Sequence, residues 1–164
     1  MKRYWDASAL IDALHDSRIE RKAFEPGQWT RPHALAETFA TLTGGRLGFR
    51  YLPDDAAALI RELTQSMNFV ELDAAETLAA MDLAQRLGVR GGRVHDWLHA
   101  RAARKAEVEE LLTDNLRDCF KIPTEPPAGL LPLTGVGSVL TARCGDARTS
   151  PPWPAPKSLA AGPL

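Results

Sequence analysis

The feature that most restricts the fold of this chain is a repeated order, in which a short apolar run gives way to a helical pattern with almost no loop between them. Lys2 to Asp6 reads as a strand. The spacing of Ala9, Leu10, Ala13 and Leu14 predicts a helix over Ala7 to about His15. A polar, charged loop ending in "EPG" leads to a second short strand at Gln28 to Thr30. Pro32 then suits a first helical turn, Leu35, Phe39 and Leu42 form one stripe, and Gly44 and Gly45 stop the helix. "LPDDAAALIRELTQ" is the next helix, with acids at its start and Ala56, Leu59, Ile60 and Leu63 on one face. "FVELD", Phe69 to Asp73, is a strand, and Asp73 with Glu76 makes a capping box for a helix from Ala74 to Leu87. After Gly88, Gly91 and Gly92, "VHDWLHARAARKA" is helical, with Val94, Trp97, Leu98 and Ala102 inward, and "VEELLTDN" is a final strand. Such alternation specifies an α/β fold with a mostly parallel sheet, helices on both faces and a ligand site at the carboxyl ends of the strands.

The pattern stops near residue 122. From Pro123 to Leu164 the chain carries 9 of its 12 prolines, only five charged residues and no sustained periodicity, so residues 123–164 are expected to be a tail with little fixed structure. Leu130 to Leu140 is its one stretch compatible with a further strand. The change in composition fits a functional tail, an expression artefact or a shifted reading frame equally well. With 164 residues in all, the remainder suits one domain, residues 1–122. A hydrophobic fraction of 45% and a charged fraction of 25% exclude a membrane or disordered class for the whole chain, and a net charge of −1 gives no global attraction to polyanions. Cys119 and Cys144 have neither metal spacing nor the density of a disulfide scaffold, and no hydrophobic signal stretch opens the chain. A cytoplasmic setting is expected.

Several acids stand where packing alone gives them no reason to be. Asp6 ends the first strand behind two aromatic residues; it suits a helix N-cap, a role that does not exclude a metal. Glu37 is the only charge between His33 and Arg46, and an isolated carboxylate among Ala, Leu, Thr and Phe gains nothing from burial, so it calls for a cation. Asp96 opens a helix, where the helix dipole alone would favour it, and "TDN" at 113–115 closes the last strand. Acids converging at one sheet edge are what Mg²⁺ or Mn²⁺ requires, and such ions support in-line chemistry on phosphodiesters.

The stretches "YWDASALIDAL", "LAETFATL", "GGRVHDWLHARAA" and "LLTDNLRDCF", in that order over Met1 to about Ile122, resemble the PIN-domain ribonucleases, specifically the VapC-like toxins of bacterial toxin–antitoxin pairs. The resemblance implies a parallel sheet flanked by helices, Mg²⁺- or Mn²⁺-dependent cleavage of RNA, an antitoxin partner inserted into the active-site groove, and a homodimer. Asp6, Glu37 and Asp96 match the first three family acids and are the implied catalytic residues and metal ligands. The fourth position falls on Asn115, an amide that adds no charge, with Asp114 beside it as a substitute ligand. Ser8 and Thr113 match positions that orient the acids. The further short strand with which the family usually ends is not evident here, which would leave a sheet edge uncovered.

Arg93, Arg101 and Arg104, on and beside the helix that Asp96 opens, form a candidate RNA-binding patch, with a solvated helix face as the bland counterpart. Trp5 and Trp97 are read as core. His95 and His99 have the four-residue spacing of zinc pairs, but no glutamate follows the first histidine and Asp96 is assigned to the acidic site, so zinc is set aside. Two rival functions remain: a catalytically silent homologue that only binds antitoxin, and a nuclease directed at DNA.

Overall fold

The computed structural model describes residues 1–114 except 46, 49 and 85, together with the backbone of 141–143. Asn115, the 122/123 boundary and the stretch Leu130 to Leu140 lie outside these residues. In chain order the elements are β1 (Arg3–Trp5), α1 (Ala7–His15), α2 (Ser17–Ala23), β2 (Gln28–Thr30), α3 (Pro32–Gly44), α4 (Pro53–Thr64), β3 (Asn68–Phe69), α5 (Ala74–Ala84), α6 (Arg93–Lys105), β4 (Glu110–Leu112) and β5 (Thr141–Arg143).

Among the described residues every strand pairing is parallel, and the sheet order is β3-β2-β1-β4-β5. Alternation along β1 accounts for the layers. Tyr4 points into one core with Leu111 and the α6 alanines Ala100, Ala102 and Ala103. Trp5, its neighbour, points into the other, with Ala9, Leu10 and Ala13 of α1, Ala34 of α3 and Leu63 of α4. Helices therefore cover both faces, as the alternating pattern requires. Trp5 and Trp97 are buried, and each indole N–H finds an acceptor, Gln28 Oε1 at 2.8 Å and the Ala80 carbonyl at 2.8 Å. Among the described residues, no helix is long and apolar enough to cross a membrane.

α3 matters most to the site, and its sequence is an unusual helix former. Thr38, Thr41 and Thr43 are β-branched residues that disfavour helices, yet each hydroxyl donates to the carbonyl four residues back, at 2.8, 2.9 and 2.8 Å. The helix ends where Gly45 adopts a left-handed φ of 79°.

Three segments within residues 1–114 differ from the sequence reading, and β5, inside the expected tail, pairs with β4 at the edge that reading left uncovered. The polar loop after His15 contains α2, capped by the Asp16 carboxylate on the Arg18 N–H. Its only buried residue is Ala23, so it has no apolar stripe to announce it. β3 is two residues long rather than five, because it is an exposed edge and Val70 turns into the α6 core. α5 ends at Ala84, whose carbonyl accepts from both Leu87 and Val89 on either side of Gly88, which turns left-handed at φ 66°. The capping box forms as expected, with reciprocal Asp73–Glu76 bonds of 2.8 Å.

Candidate functional site

In the order β3-β2-β1-β4-β5 the chain moves outward on one side of β1 and then returns to its other side. The crevice at such a reversal, beyond the carboxyl ends of the strands, is where open α/β sheets bind ligands. Asp6 follows the last residue of β1 and Thr113 the last residue of β4, so both stand at that reversal.

Asp6 caps α1. Its Oδ1 accepts from the Ala9 N–H at 2.9 Å and from the Ser8 hydroxyl at 2.7 Å, with Thr113 as a further side-chain partner. The Ser8 oxygen also accepts the Asp114 N–H at 2.9 Å. One hydroxyl thus ties the end of β4 to the carboxylate that ends β1. Only 6% of Asp6 is exposed. Burial raises its pKa, and the bonds from Thr113, Ala9 and Ser8 and the charge of His99 offset this only in part, so the net shift is upward.

A second acid lies beside it that the sequence reading passed over. Asp12 is pushed up to about 7, first by burial and then by the charge and hydrogen bond of Asp114, with smaller contributions from Asp6 and Asp16. Like Glu37, it is the only acid within its helix, flanked by Ile and Ala. That isolation was the available signal. A cleft of about 430 Å³ opens along Asp12, Thr113 and Asp114, with Arg18 and Lys22 also lining it.

Glu37 projects from the second turn of α3 into a ring of imidazoles. Its Oε2 lies 2.9 Å from His99 Nε2, and His99 Nδ1 lies 2.8 Å from the Tyr4 hydroxyl. Tyr4 is fully buried, and burial raises its phenol so that it remains a donor. A continuous hydrogen-bonded row therefore runs from Tyr4 through His99 to Glu37. The other oxygen, Oε1, faces His33 Nε2 at 3.6 Å and His95 Nδ1 at 3.5 Å. Burial acts to raise Glu37, but the His99 bond and the charges of His99, His33 and His95 outweigh it and hold the carboxyl below its ordinary value. Among the described residues, three imidazoles, not a Lys or Arg side chain, are thus the partners of Glu37.

His99 is what Asp6 and Glu37 have in common: it bonds Glu37 at 2.9 Å, and its charge acts on Asp6. Asp96, partly buried, shares the first turn of α6 with His95 and so lies at the same end of that helix. Asn115 is outside the described residues. Of the basic residues, Arg93 opens α6 and donates to the Gly88 carbonyl at 3.3 Å. Arg101 lies with its guanidinium 5.7 Å from the Trp97 ring centre, and Arg104 is exposed. At 1.5 Å per helical residue these two are about 12 and 16 Å further down the axis than Arg93, away from the acids.

The fold and the site together define a parallel α/β protein whose ionisable cluster sits at the topological reversal between β1 and β4. No protein-family model matches the chain, and no curated protein sequence matches it.

Proposed function

We propose that the chain is a PIN-like, divalent-metal-dependent endoribonuclease that acts as the toxin of a toxin–antitoxin pair. The observation that carries this reading is Asp6, a buried carboxylate at the carboxyl end of the central strand. Ser8 and Thr113 hold it, with Asp114 and Asp12 close by. Asp12, pushed up to about 7 first by burial and then by Asp114, carries a cost in stability at this edge.

The resemblance implies Asp6, Glu37, Asp96, Asp114 and Asn115 as ligands of a hard cation, and Asp12 is a further carboxylate beside Asp114. Mg²⁺ or Mn²⁺ bound there would activate water and neutralise charge on a phosphodiester. The chain's own groups then have separate tasks: Ser8 and Thr113 fix the Asp6 carboxylate, Tyr4 and His99 fix Glu37, and Arg93 is the basic residue at the acid-bearing end of α6 for a backbone phosphate. An antitoxin that inserts into the groove and a homodimer follow from the resemblance.

The test is cleavage of RNA by the full chain with Mg²⁺ or Mn²⁺, with EDTA as control. Asp6→Asn keeps an oxygen for the Ala9 and Ser8 bonds, so the fold should persist by circular dichroism while cleavage falls by about 100-fold or more. Full activity in that variant would refute the assignment. One observation favours a silent, antitoxin-binding homologue instead: both Glu37 oxygens face imidazole nitrogens, softer donors than Mg²⁺ selects. Metal-independent inertness on RNA and on DNA alike would support that second reading, and preferential cleavage of DNA would move the substrate class.

A further inference from the structure

We propose that His33, Glu37 and His95 form a binding site for one transition-metal ion of the Zn²⁺ class, distinct from the oxygen-donor site around Asp6. His33 and Glu37 are four residues apart on α3 and so share a face, and α6 brings His95 against them from 58 residues further along the chain. One ligand atom from each of the three lies within 4.8 Å of the other two.

The distances suit a metal triangle. His33 Nε2 and His95 Nδ1 are 3.1 Å apart, within hydrogen-bond reach of each other, and they are 3.6 and 3.5 Å from the same Glu37 oxygen. Those last two separations exceed the ~2.7–3.2 Å of an N–H···O bond. They match one face of a tetrahedron, since Zn–N and Zn–O bonds of ~2.0–2.1 Å place neighbouring ligand atoms about 3.3 Å apart. The contrast lies within one carboxylate: Oε2 makes a true hydrogen bond to His99 at 2.9 Å, while Oε1 has none among the described residues and faces both imidazoles.

The surroundings are those of a built site. The two imidazoles stack at 5.2 Å between centres and 9° between planes, so neither can swing without disturbing the other. Buried His99, itself held by Tyr4, fixes the second oxygen of Glu37, the outer support that metal-bound carboxylates commonly have. His33 and His95 are 41% and 48% exposed, which leaves an entry path from solvent. Two nitrogens and one oxygen select Zn²⁺, Co²⁺ or Ni²⁺ over Mg²⁺, and three protein ligands leave a fourth position for water or an anionic ligand.

The site shares only Glu37 with the nuclease reading and is tested without it. Full chain stripped of metal is titrated with Co²⁺ and with Zn²⁺, followed by visible absorption and calorimetry. One saturable equivalent is expected, with the intense visible bands of tetrahedral Co²⁺, displaced by Zn²⁺ and untouched by excess Mg²⁺. His33→Ala and His95→Ala should each weaken binding by about tenfold or more with an unchanged circular dichroism spectrum, and Asp6→Asn should leave it intact. His33→Gln and His95→Gln repeat the test with side chains of similar volume should either alanine variant misfold. Absence of one saturable equivalent, or undiminished affinity in the folded histidine variants, overturns the proposal. Zn²⁺ binding by a chain that cleaves no RNA would remove the nuclease reading alone, and Mg²⁺-dependent cleavage by a chain that binds no Zn²⁺ would remove this site alone.

Discussion

Tyr4→Phe tests the inner support of the site most sharply, because it deletes one oxygen and leaves the ring in place. The phenol lies 2.8 Å from His99 Nδ1, and the two residues are 0% and 3% exposed. Water cannot replace the lost donor. The orphaned ring nitrogen should cost about 1–3 kcal/mol, which at roughly 4 °C per kcal/mol for a domain of this size means a fall in Tm of about 4–12 °C. A double-mutant cycle with His99→Leu isolates the bond. If Tyr4 acts through His99, the double variant should be less destabilised than the sum of the single ones by about 0.5–3 kcal/mol, measured by urea unfolding at pH 7. The same change should loosen Glu37, which His99 holds at 2.9 Å, and weaken any metal bound through that carboxylate by about 10–100-fold. Additivity within about 0.5 kcal/mol, with unaltered metal affinity, would refute the relay from Tyr4 to Glu37.

Other outcomes follow from the acids at the sheet edge. Asp12, pushed up to about 7, binds more protons folded than unfolded between roughly pH 4 and 7, so its contribution to stability declines as pH rises through that window. Asp12→Asn should therefore leave Tm unchanged near pH 4 and raise it at pH 8, as thermal melts across pH would record. His15, pushed down to about 4 by burial, works in the opposite sense: its contribution is complete above its ordinary value near 6.5 and is lost as pH falls toward 4, and His15→Gln should flatten that limb. Mg²⁺ or Mn²⁺ at 100 times its Kd should stabilise the protein by about 2.7 kcal/mol at pH 7.5 and less at pH 5, where protons compete, with the effect lost in Asp6→Asn under differential scanning calorimetry. Arg93→Ala should weaken RNA binding and lower its salt dependence more than Arg104→Ala, which lies about 16 Å further along α6; equal effects would place the nucleic acid along the whole helix.

What could be read from the sequence was whatever local chemistry decides. The β1–α1 join was legible because one residue, Asp6, both ends the strand and caps the helix, and α3 was legible because Pro32 and Gly45 mark its limits. α2 and the true length of β3 were not, since a polar helix and a two-residue edge strand carry little periodicity. The histidine ring was hidden for a different reason. Its members form two four-residue pairs, His33 with Glu37 and His95 with His99, and only the crossing of α3 and α6 makes a site of them. A lone pair on one helix is ambiguous; two pairs on helices of one parallel α/β unit would have been the stronger signal.

The two ends of the sheet then separate structure from function. At the amino end, Arg3 joins Glu25 at 2.6 Å and its register partner Glu110 at 2.9 Å, opposite charges matched across neighbouring strands. At the carboxyl end, burial and then the neighbouring Asp114 and Asp6 carboxylates push Asp12 up to about 7. The same strands supply both edges, so strand chemistry does not account for the difference. An arrangement that costs stability only where the strand order reverses is the expected mark of an edge shaped by a ligand.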